Sequence, residues 1–262
     1  MKRGKRKGQI TIFIIVAILL VAVIALFFLI QNNIFSSGGA KENIPDYVDG
    51  CLQDSLMEAI YFNALQGGYF VAIPDLYSLS PKHAVAYENL YIPVYWNLGN
   101  PEVPSLEDLQ DQINLAVGFR MEDCLKNFTN FKKQGYEIKT DGIQNIEVIT
   151  TEKETKVILD FPIFVTKADE TNEYKEFSKS TDFNLVEKYE IVKKAIELQK
   201  LTPNDIPIVQ FSELAFDKGF KFETIDLGDN TFLHSFTFTS EKNKYQGFDY
   251  TYVFAAKYNE TE

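Results

Sequence analysis

Residues 231–239 read Thr-Phe-Leu-His-Ser-Phe-Thr-Phe-Thr. Phe232, His234, Phe236 and Phe238 alternate with Thr231, Leu233, Ser235, Thr237 and Thr239, the period-two pattern of a half-buried strand. On either side, residues 220–226 and Phe248–Lys257 are rich in aromatic and β-branched side chains and read as further strands. Turns at Gly228-Asp229-Asn230 and near Lys242-Asn243 join them. Upstream, residues 143–150 and 155–165 form a predicted hairpin, and residues 174–183 another strand. Residues 186–201 are helical, with Val186, Tyr189, Val192, Ile196 and Leu198 towards one side.

The earlier half is different in character. Behind Asp46 as an expected N-cap, Val48, Cys51, Leu52, Ser55, Ala59 and Phe62 follow helical spacing, and Gly67-Gly68 ends the helix. A second helix opens at Ser105, with Asp108 three residues on in a near capping box. Leu106, Leu109, Ile113, Ala116, Val117, Arg120 and Cys124 make one stripe of it, through to Leu125 and Phe128. Residues 69–73 and 90–96 read as short strands, the second at a sheet edge because Pro93 cannot donate to a ladder. Helices and antiparallel hairpins in separate blocks imply an α+β fold. A helix-rich part (46–133) and a sheet-rich part (134–262) divide it, either as two subdomains or as one continuous domain.

Residues 10–30, ITIFIIVAILLVAVIALFFLI, carry no charge and are apolar all round. About 21 residues at 1.5 Å rise give roughly 31 Å of helix, the thickness of a bilayer's hydrocarbon core. The run exceeds the 7–15 apolar residues of a cleavable signal, although the small residues Ser36 to Ala40 offer a cleavage alternative. The basic leader 1–9 holds Lys2, Arg3, Lys5, Arg6 and Lys7, so the N-terminus is expected inside and the rest outside. A tether (31–45) with Ser-Ser-Gly-Gly leads from the span to the outer domain. All 37 acidic residues lie beyond the span, giving the outer part a formal charge of about −16. Such a surface repels nucleic-acid phosphates, and nucleic acid is not an expected partner. The bilayer is one partner; a protein or glycan outside the membrane, or a second copy of the chain, is the other expectation.

The two cysteines, Cys51 and Cys124, lie in this outer part, where a disulfide persists once formed. Both sit on or beside an apolar helix face, so a bridge between the two helices is the economical pairing; two buried free thiols are the alternative. Asn127-Phe128-Thr129 and Asn259-Glu260-Thr261 are glycosylation sequons.

Signatures of chemistry are scarce. The chain has no Gly-rich phosphate loop, HExxH, GxSxG or CxxC motif. Its two histidines, His83 in a loop and His234 among phenylalanines, exclude a three-histidine zinc site, and no metal or cofactor is expected. Neither cysteine stands in a nucleophile motif, and a disulfide would remove both. The acidic turns Asp226/Asp229/Asn230 and Asp169/Glu170/Glu173 lack the alternating ligand spacing of a calcium loop. Arg120 is the single arginine outside the leader and reads as the centre of a structural ion pair. Tyr87, Tyr91, Tyr95 and Trp96 cluster near the expected edge strand and suggest a binding face for a sugar or a partner.

Lys7-Gly8-Gln9-Ile10-Thr11-Ile12-Phe13 resembles the class III signal leader of archaeal type IV pilin-like proteins. The resemblance implies cleavage after Gly8, with Gln9 as the first mature residue, and a helix able to leave the bilayer and stack in a filament. Where that family places a glutamate five positions into the mature helix, this chain has Phe13. More broadly, the chain is similar to single-span surface proteins of small-genome archaea. The likeness rests on Gly8–Phe13, Tyr47-Val48, Cys51-Leu52, Gly67-Gly68-Tyr69, Ile92-Pro93 and the helix carrying Cys124; it implies placement, not an activity. The expected function is that of a membrane-anchored, non-enzymatic extracytoplasmic domain in cell-surface interaction or envelope structure. A pilin-like filament subunit is the alternative, ahead of a solute-binding domain or an enzyme.

Overall fold

The computed structural model describes residues 43–70 and 82–259. The expected leader, the span 10–30, the Gly8-Gln9 junction and most of the tether lie outside the described residues. Among the described residues no helix is long and apolar enough to cross a membrane.

Helix α1 (Ile44–Ala64) begins two residues before the expected cap, so Asp46 sits in its first turn, near the positive helix end. Pro45 fits there because first-turn N–H groups have no intrahelical acceptor. Val48, Leu52, Leu56, Ala59 and Ile60 form its fully buried stripe. Past the helix end the Gly68 N–H donates to the Asn63 carbonyl at 2.6 Å. Gly67 and Gly68 have φ of 56° and 82°, the left-handed region where a Cβ is costly. A Cβ would also strike Pro93 at the first and the Leu109 side chain at the second.

Helix α2 (Leu106–Leu125) starts as the sequence predicts. The Asp108 N–H donates to Ser105 Oγ at 3.1 Å, and the Ser105 N–H returns to Asp108 Oδ2 at 2.7 Å, a complete capping box. A 3₁₀ turn and the short helix α3 (Thr129–Lys133) follow. Helix α4 (Leu185–Gln199) matches the predicted segment, but α5 (Ile208–Lys218) was not anticipated. The Cys51–Cys124 disulfide joins α1 to α2, with Cα atoms 5.7 Å apart.

The strands are β1 (Ala84–Tyr87), β2 (Leu90–Asn97), β3 (Asn100–Pro101), β4 (Glu137–Thr140), β5 (Asn145–Thr150), β6 (Thr155–Lys167), β7 (Glu170–Thr181), β8 (Lys221–Asp226), β9 (Thr231–Phe238), β10 (Lys244–Tyr245) and β11 (Phe248–Lys257). They make two sheets, and the α+β class holds. The first runs β1-β2-β11-β9-β8, with β3 on β2 and β10 on β11. In the second, β6 is central, with β7 on one side and β4 and β5 end to end on the other.

Two expectations about the first sheet change. β2 is not an edge strand: it lies between β1 and β11. Its ladder to β11 begins at Val94, one residue after Pro93, so the missing proline N–H removes no bond there. The β2–β11 pairing is also parallel, inside an otherwise antiparallel sheet; the long stretch of chain between the two strands permits this, as a tight hairpin would not. Residues on both sides of position 134 thus share one sheet. In the segment predicted as the strand 69–73, Tyr69 and Phe70 are not in a strand, and 71–73 lie outside the described residues.

Pro162 sits inside the central strand β6. The register to β7 shifts between Asp160 and Ile163, and β5 and β4 meet β6 at those same two residues. The proline therefore occupies a bulge and a gap, where no ladder donor is required. The described residues from Ile44 onward form one compact unit. One continuous core draws on α1, α2, α4, α5 and both sheets, and Tyr95, Trp96, Tyr250, Tyr252, Phe211, Phe236, Phe238 and Phe254 are its largest enclosed side chains.

Candidate functional site

A cleft of about 640 Å³ opens in the described surface between α1, the C-terminal half of α2 and the strands β9, β10 and β11. Helix spacing builds one wall. Glu58, Tyr61 and Phe62, at i, i+3 and i+4, form a second stripe of α1 beside the one buried in the core, and Leu65, one residue past the helix end, continues it. Arg120 reaches the rim from α2. The opposite wall is the β10–β11 hairpin, closed by Gln246-Gly247 with φ of 51° and 85°. That pair of left-handed residues makes the tight two-residue turn favoured between twisted strands. The hairpin brings Tyr245, Phe248 and Asp249 to the cleft, and the cross-strand pair Thr237 and Thr251 joins them, hydroxyls 3.0 Å apart.

The lining is aromatic with a few charges. Arg120 Nε lies 3.4 Å from Glu58 Oε2, and its guanidinium carbon is 4.9 Å from the centre of the Phe62 ring. Tyr61 packs against Tyr245 at 5.6 Å and Tyr250 at 5.4 Å between ring centres. Burial, and then the nearby Asp249 charge, push the Tyr61 phenol up to about 12. The Tyr61 hydroxyl and Asp249 Oδ1 are both shielded from solvent, and neither has a hydrogen-bond partner among the described residues. Phe62 is 47 % exposed and Phe248 73 % exposed, so apolar surface continues beyond the rim.

The sequence-predicted residues fall in several places. Arg120 is in the cleft wall, and its expected carboxylate partner is Glu58, but the pair is about one-third exposed. Asn127 is exposed in a left-handed conformation, its Oδ1 accepting from Lys132 Nζ at 2.8 Å. Asn259 is exposed and donates to Asn204 Oδ1 at 3.2 Å; the rest of its sequon lies outside the described residues.

The four aromatic residues do not form a common face. Tyr91 is exposed and Tyr87 packs in a small satellite cluster. Tyr95 and Trp96 are buried because β2 is an interior strand. Tyr95 donates to the Gly67 carbonyl at 2.7 Å, and Trp96 Nε1 to the Pro203 carbonyl at 3.0 Å.

His83 is exposed and its Nδ1 lies 2.7 Å from Glu102 Oε2. His234 is enclosed, with Nδ1 2.9 Å from Thr224 Oγ1 and Nε2 3.5 Å from the Tyr258 hydroxyl, which in turn donates to Gln199 Oε1 at 2.8 Å. Among the described residues no three His, Cys, Asp or Glu side chains gather as metal ligands.

The cleft residues other than Arg120 were not singled out from sequence as a site. The signal was present in the Glu58/Tyr61/Phe62/Leu65 stripe, which gives α1 more apolar and aromatic width than one core contact needs. Compared with protein-family models, with curated proteins and with solved structures, the chain shows no match.

Proposed function

We propose that the chain is a membrane-anchored extracytoplasmic domain that binds a partner through the α1–hairpin cleft and performs no catalysis. The apolar run 10–30 behind five basic residues supports the anchor and its direction. A disulfide between α1 and α2 suits an oxidising compartment. The observation that carries the binding role is the cleft itself: a concave, aromatic-walled opening of ligand size with exposed Phe62 and Phe248 at its rim.

The test uses the full-length protein in lipid nanodiscs. A photo-crosslinking residue is placed at position 248, or at exposed position 130 as a control, and envelope extract is added. An adduct specific to position 248 and suppressed by Arg120→Ala is the expected result. Labelling at 248 no greater than at 130 overturns the cleft as the contact surface.

A second reading rests on Gly8-Gln9 ahead of the apolar run: a pilin-like subunit processed at that junction. Mass spectrometry of the mature N-terminus decides it. A chain starting at Gln9 supports processing, and one retaining Lys2 refutes it.

A further inference from the structure

Resting on the cleft as the binding surface, we propose that it selects an ammonium group carried on an apolar shaft, with the charge at Asp249 and the shaft against Tyr245 and Phe248. Four features of the cleft converge on that chemistry.

The first is an unanswered acceptor. Asp249 lines the cleft, and its shielded Oδ1 accepts no hydrogen bond from any of the described residues. A carboxylate can only accept, so its natural complement is a donor, and a cationic one most of all. The cation nearest in register is Lys244, opposite Asp249 in the hairpin; it feels the Asp249 charge, but its ammonium is hydrogen-bonded to Glu241 at 2.7 Å and not to Asp249 Oδ1.

The second is the charge balance of the lining. It holds two carboxylates, Glu58 and Asp249, and one cation, Arg120. Arg120 lies against Glu58, which leaves the Asp249 charge in excess. An anionic ligand would meet that charge head-on, and a neutral one would leave it unanswered.

The third is the wall. Ring faces carry the negative part of the aromatic quadrupole and attract ammonium and guanidinium groups. The cleft already shows this with its own chain, since the Arg120 guanidinium stands 4.9 Å from the centre of the Phe62 ring. Tyr61, Tyr245 and Phe248 supply further aromatic surface around Asp249.

The fourth is size. About 640 Å³ is far more than a bare ion requires and fits an organic cation with an apolar body. The chain's formal charge of −11 adds a general attraction for cations.

The same group is available from a free alkylamine or from a lysine side chain of a partner protein, and the probes separate the two. Full-length protein in nanodiscs is titrated calorimetrically with hexylamine, hexyltrimethylammonium and hexanol. A short Leu-Lys-Leu peptide and its lysine-acetylated form make the second arm. The expected result is that ammonium probes bind at least about tenfold more tightly than their neutral counterparts. Asp249→Asn should abolish that preference, and Phe248→Ala, at an exposed position that leaves the fold intact, should weaken every ammonium probe. Preference for the peptide identifies a protein lysine, and preference for the small cations a free amine; either supports the inference. Equal binding of neutral and cationic probes, an unchanged preference in Asp249→Asn, or no ammonium binding at millimolar concentration overturns it. If the position-248 crosslink forms while the charge preference is missing, the cation inference falls alone. If the crosslink is also missing, the cleft reading falls with it.

Discussion

The Tyr252 hydroxyl donates to the Tyr95 hydroxyl across 2.6 Å, because Tyr95 has committed its single proton to the Gly67 carbonyl at 2.7 Å. The order of donors makes the two tyrosines unequal. Tyr95→Phe strands both the Gly67 carbonyl and the Tyr252 hydroxyl in the core and should cost about 2–3 kcal/mol. Tyr252→Phe removes one donor and leaves the bond to Gly67, at about 1 kcal/mol. Urea unfolding of the two variants tests the asymmetry; equal losses would refute the donor order.

Cys51 and Cys124 close a loop with a sequence separation of 73. In the chain-entropy account, such a loop destabilises the unfolded chain by about 4 kcal/mol, the upper end of what reduction should remove. The double variant Cys51→Ala/Cys124→Ala should show the same loss without reductant, and adding reductant should then change nothing. A wild-type unfolding midpoint indifferent to reductant would contradict the bridge's role.

Burial pushes His234 from its ordinary 6.5 down to about 3, so the folded protein holds it neutral. Below pH 6.5 the unfolded chain takes up a proton that the folded one refuses. Stability contributed by this residue is therefore complete above pH 6.5 and falls as pH drops towards 3, by about 1.4 kcal/mol per pH unit. Unfolding of wild type and His234→Gln at pH 7.5, 5.5 and 4.5 isolates the effect. The gap between them should shift in favour of the variant as pH falls. A gap independent of pH would show that the imidazole does not titrate this way.

Two glycines should respond in opposite directions to alanine. Gly50 lies in α1 with open space where a Cβ would stand, so Gly50→Ala should stabilise by about 0.5–1 kcal/mol. Gly68 has a positive φ, and its Cβ would overlap Leu109, so Gly68→Ala should destabilise by about 2–4 kcal/mol. Thermal melts of both variants provide the comparison.

Much of this architecture can be read from local patterns. Ser105 and Asp108 announce α2, Phe232 to Phe238 announce β9, and Cys51 and Cys124 point to each other from two apolar stripes. The failures have physical reasons. Pro93 reads as an edge residue because a proline shows that a donor is missing, not that no acceptor waits for it. α5 was overlooked because Ile208, Val209 and Phe216 are exposed, which blurs the buried stripe of Phe211, Leu214 and Ala215. The parallel pairing of β2 with β11 depends on residues far apart in sequence, to which local periodicity is blind. The cleft was hidden for the same reason: Asp249 resembles any other acidic residue near a turn until α1 is packed across the hairpin from it.

The place of β11 has a consequence for how the chain is made. Tyr95 and Tyr252, 157 residues apart, meet where β11 slots between β2 and β9. Synthesis proceeds from the N-terminus at about 5–20 residues per second, so β2 waits roughly 10–30 s for its inner neighbour. Throughout that time one side of β2, including the apolar residues Val94 and Trp96, offers an unpaired ladder to any passing strand. The nascent protein thus carries a timed vulnerability. Shielding β2 until the hairpin of Tyr245 and Phe248 arrives would guard the step at which the chain is most open to wrong pairing.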